Sequence, residues 1–246
     1  MTLFLASVRD VCEAEIALAA SADIIDLKEP TRGALGAVDP STIQAAVRAV
    51  AGRAAVSATV GDVPMRSELV RERVAEVAAC GVDYVKLGLL PEGDPQACLD
   101  GLRPSAQRAR LMLVLFADRL PTFDAVAAAA RMGAAGVMLD TAGKSAGSLL
   151  DYLRIDALAG FVASAKGHGL TVGLAGSLAL AHVADLVALE PDLLGFRGAL
   201  CLGRTRDGAL DPAACREVRA LIPRAINRLN PRQRIPLPSA PVQALC

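Results

Sequence analysis

The 246-residue chain has four lysines, its other basic side chains being mostly arginine, and three of the four follow short apolar runs. Lys28 ends Asp23-Ile24-Ile25-Asp26-Leu27-Lys28, Lys86 sits in Tyr84-Val85-Lys86-Leu87-Gly88, and Lys144 follows Met138-Leu139-Asp140-Thr141-Ala142-Gly143. On an extended strand alternate side chains share a face, so Asp26 and Lys28 point the same way, as do Met138 and Asp140. A lone Asp-x-Lys reads as an ion pair at a strand end. Three amines and two carboxylates at strand ends suit a different chemistry. Crowded, desolvated amines favour loss of a proton from one of them, and an unprotonated lysine attacks a carbonyl to form a Schiff base. Asp26 and Asp140 are then placed to move protons for the carbinolamine and enamine steps.

The elements that must position these groups alternate short β-rich runs with alanine-rich helical runs. Strands are expected at Leu3–Val8, 22–28, 54–60, Tyr84–Gly88, Leu111–Phe116, Gly136–Asp140, 170–175 and 193–197. Helical runs follow each, with Asp10 as a cap and Pro40 in a first turn. Pro30 ends the second strand, because it cannot donate to a ladder. Eight strand–helix units without a composition break indicate the α/β class and a single-domain (β/α)8 TIM barrel over residues 1–228. Residues 229–246 form a proline-rich tail without periodicity. An open doubly wound sheet fits less well, since the first strand is not followed by a Gly-x-Gly-x-x-Gly turn. No strong repeat is visible at the two-strand level.

In such a barrel the active site lies at the carboxyl ends of the strands. Lys28, Lys86, Asp140 and Arg197 fall on the four even strands, and the pattern predicts one layer of ionisable groups there. The alternative is a buried ion network that fixes the barrel register, but register does not need neighbouring amines. Gly176-Ser177 after strand seven and Arg197-Gly198 at strand eight match the usual barrel phosphate site, where backbone N–H groups cradle an anion. Ser57 and Thr59, on one face of strand three, join the expected substrate-binding set. These residues predict an enzyme making or breaking a carbon–carbon bond in a small phosphorylated aldehyde. No cofactor is demanded.

Composition narrows the partners. The 26 basic and 26 acidic residues cancel, which argues against nucleic acid or an anionic membrane surface. No apolar run reaches the roughly 18 residues of a membrane span. The first ten residues lack a basic start and a long apolar core, so a cytoplasmic protein is expected. Absence of net repulsion suits a homo-oligomer. None of the six cysteines forms a Cys-x-x-Cys pair, and His168 and His182 lack ligands at metal spacing, so no metal site is expected.

Together the motifs resemble the (5-formylfuran-3-yl)methyl phosphate synthase family, known from methanofuran biosynthesis. The lysine-bearing runs above carry the likeness, with Gly33-Ala34-Leu35-Gly36-Ala37, Ser57-Ala58-Thr59-Val60-Gly61-Asp62-Val63-Pro64, Leu174-Ala175-Gly176-Ser177 and Gly195-Phe196-Arg197-Gly198-Ala199. It spans roughly residues 3 to 222. The resemblance implies condensation of two glyceraldehyde 3-phosphate molecules with loss of phosphate and water. It also implies Lys28 as the Schiff-base lysine, with Asp26, Lys86, Asp140 and Lys144 as essential neighbours. The segment from Asp118 to Thr122 is shorter than the corresponding loop of archaeal members. Two rivals share the barrel: a Schiff-base aldolase of the deoxyribose-phosphate type, and a sugar-phosphate-binding barrel without turnover. A third, the decarboxylases with Asp-x-Lys-x-x-Asp, is disfavoured because Thr31 stands at the last position.

Overall fold

The computed structural model describes residues 1–143 and 147–223; Lys144 and the expected tail at 229–246 lie outside them. Eight strands are present: β1 (Leu3–Val8), β2 (Ile24–Leu27), β3 (Ala55–Thr59), β4 (Tyr84–Gly88), β5 (Leu111–Phe116), β6 (Gly136–Asp140), β7 (Thr171–Leu174) and β8 (Leu193–Phe196). All pair in parallel in chain order, and β8 closes on β1. The chain is a TIM barrel, as its alternation of elements predicts.

The helices are α1 (Val11–Ala19), α2 (Pro40–Val50), α3 (Ser67–Ala79), α4 (Pro95–Gly101), α5 (Arg103–Ala106), α6 (Ala125–Met132), α7 (Leu149–Tyr152), α8 (Ile155–Gly167), α9 (Val183–Ala188) and α10 (Pro212–Leu221). Asp10 caps α1 by accepting from the Glu13 N–H at 2.9 Å. Pro104 sits in the first turn of α5, where its missing N–H costs nothing, so the break falls just before it.

Strand alternation sorts the apolar side chains into two cores. Phe4, Ala6 and Val8 of β1 face outward and pack with Ala14 and Ala17 of α1. Leu3, Leu5, Ile24, Tyr84, Met112, Val114, Met138 and Leu193 fill the barrel interior. The two residue sets alternate along β1, as a strand buried on both faces requires.

The even strands share more than their sequences suggest. Asp23, Asp83 and Asp192 stand just before β2, β4 and β8. Each accepts from a backbone N–H of the preceding strand: Phe4 at 2.9 Å, Val56 at 2.8 Å and Val172 at 2.8 Å. A partial two-strand repeat is therefore present in the hydrogen bonding, although the expectation from sequence was none of strength. Counted up from these aspartates, the inward positions are Ile24, Tyr84 and Leu193, then Asp26, Lys86 and Gly195, then Lys28, Gly88 and Arg197. The matching β6 residues are Gly136, Met138 and Asp140. The expected single ionisable layer is thus two levels: Asp26 with Lys86 below, and Lys28 with Asp140 above.

Loops at the carboxyl end are fixed by carboxylates that accept backbone N–H bonds. Asp62, after β3, accepts from Ala34 N at 2.7 Å and Leu35 N at 3.1 Å. This holds the loop that follows Lys28 and seats Leu35 against Gly88, where a Cβ would come within 2.9 Å of the leucine Cδ1. Gly33 makes the approach possible. Its φ is +121°, and a Cβ there would lie 2.1 Å from Asp62 Oδ2.

Gly33→Ala should therefore lower stability by about 1–3 kcal/mol, the usual cost of a side chain forced into such backbone space. Urea unfolding of both proteins checks this. A change within about 0.5 kcal/mol, the range of a neutral surface substitution, would contradict it.

Candidate active site

The lower level is a closed ion pair. Asp26 is fully buried, and its Oδ2 accepts from the Lys86 ammonium at 2.9 Å and from the Ser7 hydroxyl at 3.0 Å. Its Oδ1 accepts from the Ser57 hydroxyl at 2.6 Å. The register explains the meeting, because Ser7, Asp26, Ser57 and Tyr84 are partners across β1 to β4. Burial alone would raise the Asp26 carboxyl. The charges of Lys86 and then Lys28, with the Ser57 and Lys86 hydrogen bonds, outweigh that and hold it below the usual carboxylate range. Asp26 is thus an anchored anion, tied to three donors. Beside it, burial pushes the Tyr84 phenol up to about 12, so this hydroxyl stays neutral at ordinary pH.

The upper level is looser. Lys28 Nζ lies 3.9 Å from Asp140 Oδ2, within ion-pair range but beyond hydrogen-bond distance. Asp140 Oδ1 accepts from Thr141 N at 2.7 Å, which fixes the carboxylate plane. The Lys28–Asp140 and Lys86–Asp26 ion pairs differ by about an ångström, 3.9 Å against 2.9 Å. Lys86 must break a charge-assisted bond to a buried carboxylate before it can attack a carbonyl; Lys28 does not break such a bond to Asp140.

Lys28, Lys86 and Asp140 open into one cavity of about 560 Å³ at the carboxyl end of the barrel, a size usual for small-molecule sites. Gly176, Ser177 and Gly198 line it, as does Arg197. Gly176 turns at φ +106°, bringing the β7 end against Thr141, and Ser177 follows at φ +47°.

Three residues expected to touch substrate have protein partners instead. Ser57 bonds Asp26, and Thr59 donates to Gly36 O at 3.0 Å; neither lines the large cavity. The Arg197 guanidinium gives its five N–H groups to the protein. Nε donates to Arg206 O at 2.8 Å, Nη1 to Ser7 O at 3.2 Å and Glu13 Oε2 at 2.5 Å, and Nη2 to Glu13 Oε1 at 3.2 Å and Gly208 O at 2.8 Å. A side chain so saturated has no donor left for phosphate. Burial alone would raise the Glu13 carboxyl, but Arg197, with Arg9, holds it below its ordinary value.

Ser7, Glu13 and Asp118 were not singled out as site residues from sequence. Ser7 carried a signal, being the one polar residue of β1 and sharing the inward face of Leu3 and Leu5. Glu13 reads as a surface partner of Arg9, four residues away. Asp118 accepts from Ala142 N at 2.8 Å and Gly143 N at 2.7 Å, fixing the loop beyond Asp140 as Asp62 fixes the loop beyond Lys28. Among the described residues no group of three His, Cys, Asp or Glu side chains is placed to hold a metal ion, and no helix is long and apolar enough to cross a membrane.

Arg197→Ala should cost about 3 kcal/mol at neutral pH, because it removes the buried partner of the Glu13 carboxylate and leaves it only the partly exposed Arg9 as a charged partner. A depressed carboxyl pKa contributes stability that is present above the unfolded value, about 4.3, and is lost as pH falls through the folded value. With Arg197 gone, burial raises the Glu13 carboxyl instead, so the stability gap between wild type and variant should begin to shrink above about 4.3 and go on shrinking as the pH falls toward the depressed wild-type value. Urea midpoints at several pH values measure it, and a gap independent of pH would contradict the assignment.

Comparison with known proteins shows the family. The family model for 4-HFC-P synthase matches residues 4–219. A Methylorubrum extorquens relative, provisionally named a (5-formylfuran-3-yl)methyl phosphate synthase, is 44% identical over 209 residues, covering 85% of this chain and 86% of its own. The synthase of that name from Methanopyrus kandleri is 38% identical over 203 residues, 77% of this chain and 85% of its own. That from Methanocaldococcus jannaschii is 34% identical over 235 residues, 89% and 99% of the two chains. Among solved structures, phosphoribosyl anthranilate isomerase from Thermus thermophilus superposes with a TM-score of 0.63 at 16% identity, covering 90% of this chain and 98% of its own. A 3-hexulose-6-phosphate synthase gives 0.61 at 20%, covering 91% and 100%. These last two share the fold alone. On the strength of the family match and of the relatives that span most of both chains, this protein belongs to the 4-HFC-P synthase family.

Proposed function

We propose that this protein condenses two molecules of glyceraldehyde 3-phosphate into (5-formylfuran-3-yl)methyl phosphate, with loss of phosphate and water, through a Schiff base on Lys28, in the biosynthesis of a methanofuran-type cofactor. The observation that carries the reading is the pair of unequal lysines in one cavity. Lys86 is bound to Asp26 at 2.9 Å, while Lys28 faces Asp140 at 3.9 Å.

The steps follow from those roles. The unprotonated Lys28 amine adds to the aldehyde carbon, and water leaves as the iminium forms. Loss of the adjacent C–H proton gives an enamine that expels its own phosphate, and the terminal carbon of the resulting enol attacks the carbonyl of the second triose phosphate, taken as its ketone isomer. Asp140 is the carboxylate beside the reacting nitrogen and is assigned these proton transfers. Asp26 and Lys86 serve differently. An anion with three donors is a poor proton carrier, so Asp26 sets the position of the Lys86 ammonium, which favours negative charge on substrate oxygen. Ring closure and later losses of water then give the aromatic furan. Product, phosphate and water together contain every atom of the two aldehydes, so no redox partner is required. Lys144 enters the scheme by family resemblance alone.

Glyceraldehyde 3-phosphate supplied alone should give a furan absorbance in the ultraviolet together with phosphate release. Lys28→Arg keeps the charge, but its guanidinium stays protonated and cannot attack. It should fold normally and lose turnover roughly a thousandfold or more, since a whole covalent path is removed. A Lys28→Arg enzyme retaining a tenth of wild-type turnover would sink the proposal, as would an aldol product without a furan.

A further inference from the structure

The cavity carries more positive charge than its own carboxylate balances. Its lining includes Lys28, Lys86, Arg197, Arg204 and Arg206 against Asp140. A site with such an excess draws an anionic ligand. Most of these cations already answer to an acid. Lys86 is bound to Asp26, Arg197 to Glu13, and Arg204 to Glu217 at 2.5 Å, while Lys28 faces Asp140.

Arg206 is different. Its Nη2 donates to the Gly33 carbonyl at 2.9 Å, and among the described residues no carboxylate lies within ion-pair distance of it. The rest of its donor fork stays available at the cavity wall. Its position is also fixed from behind. The buried Arg197 donates to the carbonyls of Arg206 and Gly208, both at 2.8 Å, so the segment after β8 is pinned where Arg206 reaches the loop after β2.

We propose that Arg206 is the side chain that recognises phosphate in this cavity, taking the phosphomonoester group of a ligand whose carbonyl carbon reaches Lys28. A planar guanidinium matches two phosphate oxygens at once. Arg197 then acts on the phosphate only as a positioning residue, through the backbone that carries Arg206. The proposal rests on the aldehyde-phosphate reading of the cavity and adds the group that selects for phosphate.

The test uses the full chain with Arg206→Ala and Arg206→Gln. Gln keeps a donor for the Gly33 carbonyl while removing the charge, so it covers the case in which the alanine variant fails to fold. Binding of inorganic phosphate, followed by calorimetry, should weaken roughly ten- to hundredfold in either variant, the loss expected for a hydrogen bond to a charged group. KM for glyceraldehyde 3-phosphate should rise by a similar factor, with kcat changed by less than about threefold, the signature of lost uniform binding. Adduct formation with unphosphorylated glyceraldehyde should be unaffected. Wild-type phosphate affinity in a folded Arg206→Gln protein, or a wild-type protein that binds no phosphate, would overturn the proposal. A wild type that binds phosphate through Arg206 yet forms no furan would fault the assigned reaction and leave this recognition intact.

Discussion

The Asp26–Lys86 pair at the centre of the barrel is the interaction on which the site depends. A carboxylate with no exposure is stable there only because an ammonium and two hydroxyls meet both of its oxygens. Each donor comes from a different strand: Ser7 from β1, Ser57 from β3 and Lys86 from β4. The carboxylate therefore gathers four adjacent strands at one height, and it does so where ordinary barrels place branched apolar side chains. By claiming Lys86, it also leaves Lys28 and Asp140 as a separate pair one level higher in the cavity that all three line. One buried anion thus distinguishes an amine held in a short ion pair from one that faces its carboxylate at 3.9 Å.

Around that centre the carboxyl-end loops are tied down by further acids. Asp62 fixes the loop after β2, Asp118 fixes the loop after β6, and Glu13 holds Arg197 and through it the segment after β8. The first two carboxylates accept two backbone N–H bonds each, an economical way to make a loop rigid without a covalent link. A Schiff-base nucleophile needs a carbonyl carbon held close and in line, and rigid walls supply that placement. The ties converge on the even strands, which also carry Asp26, Lys28, Lys86 and Asp140.

Much of this was legible in the sequence. The barrel follows from eight strand–helix alternations, and the inward direction of Asp26, Lys28, Lys86 and Asp140 follows from strand parity alone. Parity gives direction but not height. The ionisable residues were therefore expected in one layer, and Asp26 was expected to serve its strand neighbour Lys28. Counting from Asp23 and Asp83 would have separated the levels, since Asp26 and Lys86 stand at equal distances from those two aspartates. Arg197 shows a harder limit. Its partner Glu13 lies on a helix 184 residues away, and neither strand parity nor local spacing reveals that contact. Nor does sequence show that the loop carrying Arg206 returns to the carbonyl of Gly33.

The central claim is that Lys28, and not Lys86, bonds to the substrate. Borohydride reduction in the presence of glyceraldehyde 3-phosphate, followed by peptide mass mapping, tests it directly. The account predicts the added mass on the peptide that contains Lys28, and no stable adduct when Lys28 is replaced. An adduct on Lys86 that persists in a Lys28→Ala protein would contradict it.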